Sequence, residues 1–296
     1  MTFFPKRPAD RAAITIFQEP RSQGNDSRPA SSATFKGLDD SAEVREIPSE
    51  TARLLPGSRL VFYTDPQSVA ADRYRYLRMR LRELADTASV RSLLITSAVP
   101  RDGKSTTALN LATALAEDGK RLVLLVEADL HQPTLREQLG LAQTAGLAES
   151  LETGVDPLSL ARRIEPLGFY LLAAGTARGN PTELLQSGAL PVTLQKILPN
   201  FEWVIFDSPP LAPLTDALAL ARQTDASFLV VRAGNSPRAL VEKAFELLGR
   251  KHVAGIILNQ LTGVDRMYSK YYGIYGKRAL LESPATQSTD SLPTDK

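Results

Sequence analysis

The segment AVPRDGKST, residues 98–106, carries residue types that bind phosphate groups. It fits the phosphate-binding loop (P-loop) pattern GxxxxGK[ST] except at its first position, where Ala98 replaces glycine. In this pattern backbone N–H groups surround phosphate oxygens, Lys104 adds a positive charge at the β and γ phosphates, and the Ser105 hydroxyl can bind Mg²⁺. The sequence therefore predicts a nucleotide site made by Pro100, Arg101, Asp102, Gly103, Lys104, Ser105 and Thr106.

Three acidic residues follow apolar runs and are candidates for the metal site. Asp207 ends the run WVIFD, and Glu127 and Asp129 follow LVLLV. Phosphoryl transfer needs carboxylates near the metal, and a strand-end carboxylate can also accept a proton from a nucleophile. We therefore predict that these three acids bind Mg²⁺ together with Ser105, and that with Lys104 they form the catalytic centre. The alternative for each acid is a solvated loop residue or a helix cap.

The elements that must position these residues alternate along the chain. SLLITS precedes the P-loop, a helical period follows it, and later apolar runs are RLVLLVEAD, GFYLLAAG, WVIFDSPP, ASFLVV and VAGIILNQ, separated by helical segments. Alternating strands and helices predict an α/β fold with a mainly parallel sheet, helices on both faces, and ligands at the carboxyl ends of the strands. With the phosphate motif, this is the P-loop NTPase fold class.

Composition excludes several classes of function. Thirty-five basic and thirty-three acidic residues leave a net charge of +2, so no nucleic-acid partner is expected. The absence of cysteine excludes disulfides and thiolate nucleophiles. No apolar run approaches the roughly 18 residues that cross a bilayer, and the first residues, MTFFPKRPADRAA, lack the apolar core of a secretory signal. We therefore expect a cytoplasmic protein.

Several ordered motifs resemble those of the bacterial tyrosine kinases (BY-kinases), which regulate capsular and exopolysaccharide assembly. The P-loop has that family's proline at Pro100; LLVEADLHQP resembles its Walker A′ motif and FDSPP its Walker B motif. AAGTARGNPTELLQS is similar to a further stretch, matching at Gly175, Asn180, Pro181 and residues 183–185. The resemblance runs from about residue 65 to 275. It implies a MinD/ParA-like sheet, ATP and Mg²⁺ as cofactors, and autophosphorylation on tyrosine by a non-membrane-spanning protein-tyrosine kinase that regulates polysaccharide polymerisation and export.

The resemblance also gives an interpretation of both flanks of the domain. The helix before the P-loop carries Asp72, Arg75 and Arg78, matching a family motif that packs subunits into a homo-oligomeric ring; the alternative is a solvated basic face. After the last strand, DRMYSKYYGIYGKR resembles the family's autophosphorylation cluster, and the alternative is an aromatic packing tail. The predicted phosphorylation sites are Tyr268, Tyr271, Tyr272 and Tyr275.

These assignments divide the chain into four predicted segments. Residues 1–57 are rich in Pro, Ser, Asp and Arg and are expected to form a disordered tail. The kinase domain is expected at 58–264, the tyrosine cluster at 265–278, and a disordered C-terminus at 279–296. The resemblance implies a membrane-bound chain-length regulator that activates the protein and recruits it to the inner face of the plasma membrane, and a cognate phosphatase.

Three positions depart from the family pattern. Glu127 stands where the family has aspartate, Arg101 where it has glycine, and His131 where it has arginine. Glutamate keeps the charge on an arm one methylene longer, which can displace the carboxylate by about an ångström. Arg101 is tolerated where its φ is negative and strained where φ is positive. His131 is interpreted as a neutral loop residue, because no other histidine or cysteine is near it in sequence.

Two further polar residues have paired interpretations. Asn259, at the end of VAGIILNQ, is predicted to contact the adenine edge, and its alternative is a strand-end turn residue. Asp216, in PLTDA, is predicted to be a helix cap.

Other functions for the chain stay open at this point. One is a nucleotide-dependent switch of the MinD/ParA class or a catalytically weakened scaffold in the same export system. Those ATPases typically carry a second lysine early in the P-loop, where this sequence has Val99. A small-molecule kinase is disfavoured because no lid-like, Arg-rich insertion is present between the later strands.

Overall fold

The computed structural model describes residues 15–17, 47–55, 57–212 and 215–260, with the backbone alone for 15–17. These residues form a nine-stranded sheet in the order β1-β9-β8-β3-β7-β4-β6-β5-β2. The strands are β1 Thr15–Phe17, β2 Ser49–Thr51, β3 Ser92–Ser97, β4 Val123–Glu127, β5 Arg162–Glu165, β6 Tyr170–Leu172, β7 Trp203–Asp207, β8 Ala226–Arg232 and β9 Val253–Asn259.

The middle of the sheet is parallel, as the sequence predicts. Strands β9, β8, β3, β7, β4 and β6 pair in parallel, whereas β1 pairs antiparallel with β9 and β5 antiparallel with β6. The P-loop strand β3 lies between β8 and β7. Because the carboxyl ends of parallel strands meet at one edge, the residues that follow β3, β4 and β7 are brought together.

Helices cover both faces of the sheet, so that the side chains on each side of β3 are buried in a different apolar cluster. Leu93 and Ile95 belong to one buried apolar cluster and Leu94 to the other, because successive strand residues point to opposite faces. The described helices are α1 Val61–Thr64, α2 Val69–Ala88, α3 Lys104–Ala116, α4 Leu135–Gln138, α5 Leu147–Thr153, α6 Pro157–Leu160, α7 Pro181–Gln186, α8 Ala189–Ile197, α9 Asp216–Ala221 and α10 Arg238–Leu248, with a 3₁₀ turn at Leu198–Asn200. Among the described residues, no helix has the length and apolar character that a membrane span requires.

Helix α2 forms where the apolar spacing of three and four predicts it. The Ser68 hydroxyl caps its start by accepting from the Ala71 N–H at 3.2 Å. Tyr74, Leu77 and Leu81 are buried against α3 and the sheet, in one of the two core clusters. The helix therefore packs through its apolar stripe and leaves the arginine face outward.

Part of the predicted N-terminal tail belongs to the folded sheet. Residues 47–55, here called the edge segment, contain β2, which pairs in parallel with β5. The Ala52 N–H donates to the Glu165 carbonyl at 2.8 Å, and the Arg163 N–H donates to the Pro48 carbonyl at 2.9 Å. The predicted boundary at residue 57 is therefore wrong for this segment, and β1 also lies within the predicted tail. Three-residue strands are too short to show periodicity, and their pairing partners are distant in sequence.

The predicted tyrosine cluster at 268–275 lies outside the described residues.

A glycine at the junction of β6 and α5 gives a test of the core. A Cβ on Gly146 would lie 2.0 Å from the Ala173 carbonyl oxygen. We expect Gly146→Ala to lower the free energy of unfolding by about 2 kcal/mol, because backbone atoms on both sides must move. Gly179→Ala is the matched control, since a Cβ there meets nothing within 4 Å. Equal chemical denaturation midpoints for the two variants would contradict the observed packing.

Candidate active site

The P-loop connects β3 to α3, and its single glycine is packed against the end of β9. Gly103 has φ +95°, and a Cβ there would lie 2.0 Å from Asn259 Nδ2. Asn259 Nδ2 donates to the Asp102 carbonyl at 2.9 Å, and Asn259 Oδ1 accepts from the Gln260 N–H at 2.9 Å. Asn259 therefore braces the P-loop, because β9 ends at the same edge of the sheet as β3. Its contact with the adenine edge stays a prediction.

The Asp102 side chain points away from the phosphate cradle. It is 3% exposed, and its Oδ1 accepts from the Ser236 hydroxyl at 2.7 Å. Burial raises the pKa of this carboxyl, and the Ser236 hydrogen bond opposes the rise. In the predicted phosphate site, Asp102 is therefore limited to its backbone N–H.

Pro100 and Arg101 form the exposed part of the loop, and Arg101 has φ +68°. This is the left-handed region, in which a non-glycine residue pays a conformational cost. Arg101 is expected to be unstrained only if its φ is negative. Its φ is positive, so this residue is strained.

This strain predicts an effect on stability. We expect Arg101→Gly to raise the free energy of unfolding by about 0.5–1 kcal/mol, since relief of the left-handed strain exceeds the added chain entropy of glycine. Arg178→Gly is the control, because Arg178 is also exposed in a loop but lies outside the left-handed region. It should lower stability. Thermal unfolding without nucleotide measures both variants, and a loss of stability in Arg101→Gly would contradict the strain.

Lys104 and Asp129 form a largely buried ion pair. Lys104 Nζ lies 2.9 Å from Asp129 Oδ2, with the two side chains 13% and 5% exposed. Burial lowers the pKa of Lys104, but the charges of Asp207 and Asp129 and the hydrogen bond to Asp129 outweigh this and raise it. Lys104 is thus a cation paired with Asp129, and the charges of Asp207 and Glu127 also act on it. The contact between Lys104 and Asp129 agrees with the predicted site, and the roles of these residues stay predictions.

Asp207 ends β7 with features of a metal ligand. It pairs in register with Ile95 of β3 and Glu127 of β4, and it is 1% exposed. Burial raises its pKa to about 7, opposed by the charge of Lys104 and a hydrogen bond from Ser105. Its Oδ1 is buried and makes no hydrogen bond to the described residues. A buried carboxylate oxygen without a partner, beside a P-loop serine, fits the ligand set that Mg²⁺ prefers.

Glu127 does not present its carboxylate freely to this site. Oε1 accepts from the N–H groups of Thr134 and Leu135, both at 2.6 Å, and Oε2 accepts from Ala174 at 3.1 Å. Burial raises the pKa of Glu127 and these three N–H groups oppose the rise. The longer side chain reaches the start of α4 and holds the Walker A′ loop, residues 128–134 between β4 and α4. The place of Glu127 among the metal ligands and catalytic acids stays a prediction, and these hydrogen bonds favour Asp129 and Asp207 over it.

Sequence reasoning missed the partner of His131. His131 Nε2 lies 2.7 Å from Asp216 Oδ2, and Asp216 is fully buried at the first position of α9, where Thr215 is the cap residue. The prediction that Asp216 caps this helix is therefore wrong. The available signal was that the family carries arginine, a partner for an acid, at the position of His131. Among the described residues, no three His, Cys, Asp or Glu side chains are grouped so that they could hold a metal ion.

The arginines of α2 are paired within the chain. Arg75 contacts Glu117 at 2.6 Å and Asp72 at 3.0 Å, and Arg78 contacts Glu117 at 2.7 Å. The hydrogen bond from Arg75 is the largest cause of the lowered pKa of Glu117. The arginine face of α2 is therefore part of an ion-pair network with Glu117, just after α3. The solvated-face alternative does not predict this network. The predicted role of this face between subunits stays a prediction.

Relatives of the chain include tyrosine-protein kinases. It is 33% identical over 230 residues to the tyrosine-protein kinase YwqD of Bacillus subtilis, with 75% of this chain and 94% of that protein covered. It is 34% identical to the tyrosine-protein kinase CpsD of Streptococcus agalactiae (63% and 82% covered) and 32% identical to the succinoglycan biosynthesis transport protein ExoP of Rhizobium meliloti (76% and 30% covered). No protein-family model matches the chain.

Solved structures with the same fold include a tyrosine kinase domain. The kinase domain of the Escherichia coli tyrosine kinase ETK has a TM-score of 0.65 at 26% identity, covering 68% of this chain and 80% of that one. The chimerical protein CapA2B2 has a TM-score of 0.64 at 29% identity, covering 73% and 96%. With the site geometry above, these similarities show that the chain belongs to the bacterial tyrosine kinases of capsule and exopolysaccharide synthesis.

Proposed function

We propose that this chain is an ATP-dependent tyrosine autokinase in which Asp207 and Ser105 hold Mg²⁺ and Asp129 accepts the proton. The observation that carries the proposal is the buried Oδ1 of Asp207, which accepts no hydrogen bond from the described residues and lies near the Lys104–Asp129 pair. Bound Mg²⁺ would neutralise charge on the phosphate oxygens. The protein's own contribution is the P-loop backbone, the lysine cation and the positioned carboxylates.

The proposed transfer step uses these residues as follows. A tyrosine hydroxyl oxygen attacks the γ-phosphorus in line, the bond from that phosphorus to the β–γ bridging oxygen breaks, and ADP leaves. The hydroxyl proton passes to a carboxylate. Asp129 suits this role better than Glu127, because nucleotide phosphates compete for Lys104 and so free Asp129 Oδ2, whereas both Glu127 oxygens are held by backbone amides.

The acceptors and partners extend the proposal beyond the described residues. The acceptor tyrosines are those of the 268–275 cluster, presented by a neighbouring subunit of a ring in which Asp72, Arg75 and Arg78 take part. The chain corresponds to 30% of ExoP, so that relative carries much further polypeptide. We propose that a separate membrane-bound chain-length regulator supplies a comparable part here, activating the kinase and recruiting it to the inner face of the plasma membrane.

Phosphosite mapping tests the proposal. Purified protein is incubated with ATP and Mg²⁺, with and without the cytoplasmic tail of the regulator, and digested for mass spectrometry. Phosphate on residues 268–275 is expected, increased by the tail. Its absence under both conditions would refute autophosphorylation on this cluster.

One observation favours a second function, a nucleotide-dependent scaffold with weakened catalysis. Glu127, at the position of a family aspartate, is committed to three backbone N–H groups. A scaffold would change its oligomeric state with ATP and form no phosphotyrosine. Light scattering alongside the phosphosite assay separates the two functions.

A further inference from the structure

The short helix α4 is bonded to two elements of the nucleotide site. Its first amides, Thr134 and Leu135, both donate to Glu127 at the end of β4. At its other end, Gln138 contacts the Thr106 hydroxyl of the P-loop helix at 3.5 Å and donates to the Thr134 hydroxyl at 3.0 Å. A shift of α4 would therefore displace the Walker A′ loop after β4. It would also alter the contact between Gln138 and the P-loop helix.

The same helix carries a buried arginine that forms an ion pair with a glutamate on the edge strand β2. Arg136 is 2% exposed, and its guanidinium donates to the Ala142 carbonyl and to Glu50 Oε1, the latter at 2.7 Å. Glu50 lies on β2, with its side chain 29% exposed. A buried guanidinium is tolerated when it is paired and hydrogen-bonded, and it is strongly destabilising when its carboxylate is removed.

Backbone contacts fit the edge segment closely against the end of α4. The Arg53 N–H donates to the Leu139 carbonyl at 2.8 Å. Gly140 has φ +65°, and a Cβ there would lie 2.3 Å from the Arg53 carbonyl oxygen. The edge segment and the turn after α4 therefore lie in direct backbone contact, so α4 is held from both sides.

We propose that the Glu50–Arg136 ion pair is a positioning element for catalysis, which makes the Walker A′ loop dependent on docking of the edge segment. Without the Glu50 charge, Arg136 moves toward solvent and carries α4 with it. The amides that orient Glu127 then shift, and with them the loop that carries Asp129. The proposal rests on the kinase function proposed above, and it assigns a catalytic consequence to a segment that sequence composition placed in a disordered tail.

Nucleotide binding depends less on this contact than catalysis does. The P-loop is braced from the opposite side, by Asn259 of β9 against Asp102 and Gly103. Loss of the edge contact therefore displaces the proton-accepting loop and leaves most of the phosphate cradle in place. An ångström of misplacement at a reacting group can lower the rate by about a hundredfold.

The test compares Glu50→Gln with Glu165→Gln. Both remove a carboxylate charge near this edge of the sheet, but Glu165 pairs with Arg163 at 3.1 Å on an exposed surface. For Glu50→Gln we expect kcat for autophosphorylation to fall at least about tenfold, with the Kd of a non-hydrolysable ATP analogue within about threefold. Glu165→Gln should match the wild type in both. Glu50→Asp, which retains the charge, should recover part of the kcat.

A purely structural pair would give a different result. Glu50→Gln would then melt at a lower temperature but show wild-type kcat when assayed well below that temperature, and this outcome would overturn the proposal.

Hydrogen–deuterium exchange tests the coupling without reference to kinase activity. In Glu50→Gln the amides of residues 134, 135 and 174, which Glu127 accepts from, should lose protection at least about tenfold, while the middle of α3 is unchanged. Unchanged protection of those three amides would overturn the coupling. A wild-type protein that forms no phosphotyrosine would overturn the kinase proposal alone, and the exchange result would still decide whether Glu50 orders the Walker A′ loop.

Discussion

Replacing Lys104 with methionine is expected to lower the autophosphorylation rate by about a hundred- to a thousandfold. Methionine fills similar space but removes the positive charge that the P-loop aims at the transferred phosphate, and preorganised charges of this kind carry about that much of a transition state's stabilisation. Lys104 also neutralises Asp129 and Asp207. Without it, these carboxylates repel the phosphates of an incoming nucleotide, so binding of an ATP analogue weakens as well.

Lys120→Met is the matched control, because Lys120 is exposed in the turn after α3. We expect its rate to lie within about twofold of the wild type, as for other surface substitutions. Initial rates of phosphotyrosine formation measure the effect, and thermal unfolding shows that each variant is folded. A Lys104→Met protein that phosphorylates within about threefold of wild type would remove Lys104 from the catalytic centre.

Sequence reasoning located the parts of the site that depend on local order. The P-loop and the strand-end acids follow from short motifs, and parallel strands must bring the residues after β3, β4 and β7 to one edge. The Lys104–Asp129 contact and the register of Asp207 with Ile95 therefore match expectation. Both depend on strand neighbours, which the βαβ alternation largely determines.

The contacts that the sequence did not reveal are side-chain contacts between residues far apart in the chain. Asn259 braces the P-loop across 157 positions of sequence, and Asp216 pairs with His131 across 85. No periodicity encodes such contacts, because each is selected by packing after the sheet has formed. Glu127 shows a finer limit. The sequence predicts that Glu127 lies at a strand end. It does not predict that the chain turns back so that the N–H groups at the start of α4 donate to the Glu127 carboxylate.

The Asp207→Asn variant is expected to show opposite effects on activity and stability. The amide cannot supply the charge that binds Mg²⁺, so we expect the autophosphorylation rate to fall by about a hundredfold or more. In contrast, the free energy of unfolding without ligand should rise in Asp207→Asn. The folded-state pKa of about 7 is above the ordinary value of 3.8, so the folded protein holds a proton that the unfolded chain has released between those pH values.

The wild type therefore loses stability from this group as the pH rises from about 4 to about 7, and asparagine removes that loss. Chemical denaturation at pH 5 and pH 8 should show a larger gain for Asp207→Asn at pH 8, and an equal gain at both values would contradict the raised pKa.

Metal binding depends on the same titration of Asp207, but the affinity rises with pH where the stability contribution falls. Mg²⁺ requires the carboxylate form, so affinity for a Mg²⁺-bound ATP analogue should rise by about tenfold between pH 6 and pH 8 in the wild type. Asp207→Asn keeps the nucleotide's own titration but lacks that of the side chain, and its affinity should change clearly less over this range. The carboxylate that costs stability at neutral pH is thus the group that makes the site competent for metal and nucleotide, and equal pH profiles for the two proteins would show that Asp207 does not hold the metal.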